Sequence, residues 1–157
     1  MKIDILLPFK IKKSFVKEGS QEYLKRIKRY SNVNVVNIKE EAKKNVVDPS
    51  LIMEKEATRI NEKLRKSSFT ICLSENGKRV DINKLEKIIR DKQISGNPDF
   101  SFVIGSAFGL DKELQKNAHL NLSISEFTLS HEMAFLVLTE LLYRVFAKMN
   151  NEPFSRY

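Results

Sequence analysis

The 157-residue chain has no tryptophan and one cysteine, Cys72, so no disulfide can form within it. That excludes the cross-linked scaffold of small secreted domains and suits a reducing, cytoplasmic setting. Cys72 lies in an apolar run and is expected to be a small buried hydrophobe. The two histidines, His119 and His131, are too scattered to form a zinc set with one thiol, so no metal is expected. Glycine and proline are sparse, at five and four residues, and no linker, repeat or low-complexity stretch divides the chain. A single domain spanning residues 1–157 is the expectation, large enough for a sizeable core. No stretch approaches eighteen consecutive apolar residues, so no membrane-spanning helix is expected. The opening MKIDILLPFK has a short apolar run interrupted by Asp4 and no small-residue cleavage site, which reads as a first strand. Neither GxGxxG nor GxxxxGK[ST] occurs, so the dinucleotide and phosphate-loop fingerprints are absent.

What the chain has in excess is positive charge, with a formal net of +8. A surplus of this kind favours polyanionic partners, nucleic acid first, although a lysine-rich composition would give the same total without any partner. Its distribution is more informative. Lys10, Lys12, Lys13, Lys17, Lys25, Arg26, Lys28 and Arg29 crowd the stretch from Lys10 to Tyr30, against only Glu18 and Glu22. Such a segment is suited to contacting several phosphates.

Apolar periodicity and end signals predict alternating strands and helices. Strands are expected over residues 2–8, 33–38, 69–73, 100–104 and 120–124. Between Lys13 and Tyr30, Phe15, Val16, Tyr23, Leu24 and Ile27 form a helical stripe interrupted by Gly19, with the basic residues largely opposite. Glu40–Asp48 reads as a polar loop. Asp48 and Pro49 are placed to cap and start a helix reaching about Lys66, with Leu51 and Ile52 on its apolar side. Asn76-Gly77 is a turn signal after the third strand, Asp81 a cap for the next helix, and Asp111 the start of a short one. The βαβαβαβαβα pattern implies an α/β fold with a mainly parallel sheet and helices on both faces.

The last third carries the candidate site. The loop Gly105-Ser106-Ala107-Phe108-Gly109 follows a buried strand, and Gly105 would let a ligand approach the backbone. A second loop, Ser123 to Ser130, leads into a helix from about His131 that is apolar on nearly every side, suiting a central or interface position. Ser130 is a plausible N-cap, Glu132 complements the helix dipole, and Glu140 and Arg144 stand i, i+4. Loops at the carboxyl ends of strands are where α/β proteins bind ligands. His131 beside these loops suits either packing or proton transfer, whereas His119 reads as incidental.

Several stretches together, EYLKRIKRY, CLSENGK, FVIGSAFGL, SISEFTLSH, ELLYR and EPFSRY, resemble the ribosomal RNA large subunit methyltransferase H family of the SPOUT superfamily over nearly the whole length. The resemblance implies a C-terminal trefoil knot, a homodimer, S-adenosylmethionine as methyl donor, and methylation at N3 of a pseudouridine in 23S ribosomal RNA, in the large subunit or assembled ribosome. By position it implies cofactor contacts at Leu73, Gly105, Ile124, Ser125, Glu126, Phe127, Thr128 and Leu129. His131 and Arg156 become candidates for substrate positioning or proton handling, and Lys12, Lys13, Lys25 and Arg29 for contacts with RNA phosphates. The sequence departs from the family at Ser106, where a second glycine is usual, at Phe108, at Ser130 and Phe135, and at Phe154-Ser155, where tyrosine-histidine is usual. A non-catalytic ribosome-binding factor and a SPOUT enzyme acting on transfer RNA are the competing expectations.

Overall fold

The computed structural model describes residues 1–41 and 48–153. Five strands alternate with five helices: β1 (Lys2–Leu7), α1 (Ser14–Ile27), β2 (Asn32–Asn37), α2 (Pro49–Lys63), β3 (Phe69–Arg79), α3 (Ile82–Ile94), β4 (Phe100–Val103), α4 (Lys112–Asn117), β5 (Leu120–Ser123) and α5 (His131–Met149). Most of the expected loop at Glu40–Asp48 lies outside the described residues.

Local chemistry sets the helix starts. The Asp48 carboxylate accepts the Ser50 amide at 2.9 Å, with Pro49 opening α2. Asp81 accepts the Lys84 amide at 2.8 Å, and Asp111 accepts those of Glu113 and Leu114 at 3.0 and 3.1 Å. Each acceptor satisfies amides that the first helical turn leaves unpaired.

The sheet has the order β2-β1-β4-β3-β5, and every neighbouring pair is parallel. Side-chain alternation divides the core between its faces. Ile3, Ile5, Leu7, Ile71, Phe100 and Phe102 pack with α1, α3 and α5. Leu6, Cys72 and Val103 pack with Ala57 and Ile60 of α2 and Leu114 of α4. Helices therefore cover both faces, as the continuous apolar runs of β3 and β4 require. Cys72 is fully buried, and burial pushes its thiol up to about 12. It is the small core hydrophobe expected.

Three local expectations need correction. Phe15 and Leu51, assigned to apolar stripes, are 56% and 54% exposed. Each is followed directly by the residue that is buried, Val16 and Ile52, and neighbours on a helix point about 100° apart. Asn76-Gly77 makes no chain reversal. β3 continues parallel to β5 on both sides of an irregularity, because Leu122 pairs with both Leu73 and Lys78. The four residues between them, Ser74 to Gly77, leave the ladder as a bulge. Glycine is required there by close approach: a Cβ on Gly77 would lie 2.7 Å from the backbone of Asn121 and Leu122. His119, read as incidental, accepts the Thr70 amide through Nδ1 at 2.9 Å and stacks on Phe69, pinning the start of β3.

Candidate active site

Because all five strands are parallel, their carboxyl ends share one edge of the sheet. Three segments meet there: the β3 bulge, the Gly105–Gly109 loop after β4, and the loop from Ile124 to Ser130 after β5. They enclose a cleft of about 720 Å³, closed on one side by the first turn of α5 through His131 and Ala134. A cleft of this size at the carboxyl ends of strands matches a nucleoside-sized ligand.

The Gly105 loop is fixed from two directions. A Cβ on Gly105 would sit 2.6 Å from the Gly109 carbonyl carbon and 3.0 Å from Leu110 Cγ, so no side chain fits without moving backbone. Below, the buried Ser106 hydroxyl donates to Glu56 Oε2 of α2 at 2.8 Å and accepts the Phe108 amide at 3.4 Å. The second loop is shaped by its own serines: Ser123 Oγ donates to the Ser125 carbonyl at 3.1 Å, and Ser125 Oγ accepts the Phe127 amide at 2.9 Å. Ser130 then accepts the Met133 amide at 3.3 Å and starts α5.

Of the sequence-derived cofactor residues, Leu73, Gly105, Ile124, Ser125, Phe127, Thr128 and Leu129 all line the cleft. Glu126 does not. Its exposed carboxylate is turned to the Arg79 guanidinium, beyond the rim. The sequence does not disclose the third wall, Ser74 to Asn76, because Asn76-Gly77 reads as a turn signal that ends the strand. Sequence reasoning also missed Glu56, whose only signal was a carboxylate on the apolar side of α2.

His131 stands on the cleft wall at the start of α5, its ring 4.5 Å from that of buried Phe9 in an edge-on contact. The next residue, Glu132, stands in the first turn of α5, as its reading as a complement to the helix dipole expects; it is also buried and reaches across to the segment before α1. Its carboxylate accepts the backbone amides of Lys12 and of Lys13, the latter at 3.1 Å. Burial pushes this carboxyl up, but the two amides and the charges of His131 and Lys13 outweigh it and hold it below the usual range. These bonds stand in for the side-chain cap that α1 lacks.

That contact sorts the candidate RNA-binding residues. Lys12 and Lys13, both exposed, are tied to the residue next to His131 and so flank the cleft. Lys25 and Arg29 are exposed at the far end of α1; Arg29 borders a separate hollow of about 290 Å³ with Met1, Tyr30 and Asn150. The structure does not bring the four together. Arg156 lies outside the described residues.

Helix α5 is central to the domain, with Phe135, Leu138, Leu142, Val145 and Phe146 in the core. Met133, Val137 and Leu141 are only half-buried, and Arg144 bonds Glu140 at 2.8 Å on the same side.

Comparison with known proteins agrees with this architecture. Residues 1–154 match the family model described as "Predicted SPOUT methyltransferase". A "Putative ribosomal RNA large subunit methyltransferase H" of Methanococcus maripaludis is 38% identical over 159 residues, covering 99% of this chain and all of its own. The ribosomal RNA large subunit methyltransferase H of Syntrophotalea carbinolica is 38% identical over 98% of each chain. That of Acetivibrio thermocellus is 34% identical over 99% of this chain and all of its own. A parallel α/β sheet, a cleft at its carboxyl edge and full-length similarity converge on one assignment: the chain belongs to the SPOUT methyltransferase family and is an enzyme.

Proposed function

We propose that this chain methylates N3 of a pseudouridine in 23S ribosomal RNA, with S-adenosylmethionine as donor, on the large subunit or the assembled ribosome. The observation that carries the reading is the three-walled cleft with Gly105 at its floor. The full-length similarity to ribosomal RNA large subunit methyltransferase H proteins supports the substrate class. The exposed Lys12 and Lys13 beside the cleft supply cations for RNA phosphates. The half-buried stripe of Met133, Val137 and Leu141 supports a homodimer that would cover it. A trefoil knot in the C-terminal third belongs to the same reading.

The cleft fits the donor in size and lining. Gly105 and the Ile124–Leu129 segment present backbone where a nucleoside could lie close, and Leu73 and Leu122 give an apolar wall. Bound there, S-adenosylmethionine supplies a methyl group on a positively charged sulfur. The chain's own contribution is mostly positional, because the acceptor nitrogen must be held in line at about 3–3.5 Å from the methyl carbon. N3 of a uracil-type ring carries a proton at neutral pH, which a nearby group must receive. His131, on the cleft wall and held against Phe9, is the residue assigned to position the base or take that proton. Arg156 has a substrate-positioning role in this reading, and Lys25 and Arg29 extend the phosphate contacts along α1.

Mass spectrometry of 23S ribosomal RNA fragments from cells with and without the gene tests the activity. One fragment should be heavier by a single methyl group only when the gene is present; identical spectra would reject the function. Gly105→Leu tests the pocket by calorimetry. Overlap with the Gly109 backbone should weaken S-adenosylmethionine binding by at least about a hundredfold, and unchanged affinity would reject this cleft.

A further inference from the structure

We propose that Glu75 is the charge-recognition residue of the cleft, distinguishing the cationic methyl donor from the neutral thioether left after transfer. The proposal rests on the reading of the cleft as an S-adenosylmethionine site and adds a residue and a selectivity to it.

Among the described residues the lining of the cleft is otherwise neutral. Apolar side chains, serines, Thr128, Asn76 and Gln115 make up its walls, and of the described residues that line it His131 is the one other titratable group and Glu75 the one carboxylate. Glu75 reaches this position because the β3 bulge carries Ser74 to Gly77 out of the ladder and over the cleft.

Two acidic residues belong to the segments around the cleft, and the structure treats them differently. Glu126 is already neutralised by Arg79 and lies off the cleft. Glu75 is exposed and makes no ion pair or hydrogen bond among the described residues. Its charge costs nothing to keep in water and is free to act on an incoming ligand.

The donor carries a sulfonium and an ammonium against one carboxylate, a net positive charge. The demethylated product keeps the amino-acid groups but has an uncharged sulfur. A chain with a net charge of +8 opposes the approach of such a cation, so a local negative group at the mouth matters more than it would on a neutral protein. Backbone and apolar contacts at Gly105 and Leu73 see the same shape in donor and product. The proposal sets the Glu75 carboxylate towards the sulfur, where it would sense the difference in charge. Donor and product therefore share the floor of the cleft and part company at its rim.

Calorimetry on the intact protein tests this with three ligands: S-adenosylmethionine, S-adenosylhomocysteine and sinefungin, in which an amine-bearing carbon replaces the sulfonium. Wild type is compared with Glu75→Gln and Glu75→Lys. The side chain is exposed and without a partner among the described residues, so unfolding is not expected, and thermal melts serve as the control. In Glu75→Gln, binding of the two cationic ligands should weaken by about three- to tenfold, the range of a partly screened ion pair. S-adenosylhomocysteine, which keeps its ammonium but has no charge at the sulfur position, should stay within about twofold of wild type if Glu75 faces that position. Glu75→Lys should widen the gap. Unchanged donor affinity in Glu75→Gln, or equal weakening of all three ligands, would overturn the proposal while leaving the cleft assignment standing. A wild-type protein that binds none of the three would overturn both.

Discussion

The two edges of the sheet are built on opposite principles. At the amino ends of the strands, Arg65 Nε bonds Asp4 of β1 at 2.6 Å and its Nη1 bonds Asp99 at 2.9 Å, just before β4. Asp99 also accepts the Lys2 amide at 2.8 Å, and Ser68 and Ser101 share a buried hydrogen bond at 2.7 Å. Charges there are matched and the strand starts are laced together. At the carboxyl ends, the edge is made of loops and a bulge, and Glu75 has no ion pair among the described residues. One edge uses its charges on itself, and the other leaves backbone and, among the described residues, one carboxylate facing a cleft. Stability and binding are thereby separated by the length of the strands.

Substitutions at the two edges should consequently separate in their readouts. Arg65→Ala leaves two carboxylates without their cation. It should cost about 2–3 kcal/mol in urea unfolding, less than a fully buried pair because Arg65 retains 27% exposure. Cofactor affinity should hardly change; a large loss would mean that the edges are coupled. Ser106→Ala works at the other edge, removing the hydroxyl that joins the Gly105 loop to Glu56. Stability should fall by about 1 kcal/mol, the scale of one hydrogen bond. S-adenosylmethionine binding should weaken by about three- to tenfold, a further kcal/mol or so, if that bond holds the loop in shape. A stability loss with unchanged affinity would show that the loop keeps its shape without Glu56.

The smallest effect concerns Glu132, which links the cleft wall to the start of α1. Its folded value is depressed, so its contribution is present above the ordinary carboxylate range and lost as pH falls through the folded value. The stability gap between wild type and Glu132→Gln should be steady near neutral pH. It should shrink below about pH 4.5, where free carboxylates begin to protonate. Urea midpoints from pH 7 to pH 3 measure it, and a gap that persists undiminished to pH 3 would contradict the assignment.

How far the sequence disclosed all this depends on the range of the interactions involved. Helix starts at Asp48, Asp81 and Asp111 were legible because each cap acts within three residues. The parallel sheet was legible from the continuous apolar runs at Phe69–Leu73 and Phe100–Ile104. Seven of the eight residues carried over to the cofactor loops do line the cleft. What escaped were contacts between distant segments. Nothing local distinguishes a bulge at Asn76-Gly77 from a reversal, because the deciding contact is with β5, more than forty residues away. The helix dipole accounts for Glu132 in the first turn of α5, but its bond to the Lys13 amide, more than a hundred residues away, has no local signal. Glu126 and Glu75 are alike as residue types, and it is the pairing with Arg79 and the position off the cleft that set Glu126 apart.

The strand order β2-β1-β4-β3-β5 also bears on how the protein comes into being. β4 is flanked by β1 on one side and β3 on the other, so the sheet stays in two pieces until residue 103 is available. A nascent chain can pair β1 with β2 early, but β3 finds its neighbours only when β4 and β5 have emerged. Closing such long loops before contacts compensate for them makes folding slow and late in synthesis. The cleft, whose walls follow β3, β4 and β5, then takes shape late, once these strands and the start of α5 have emerged.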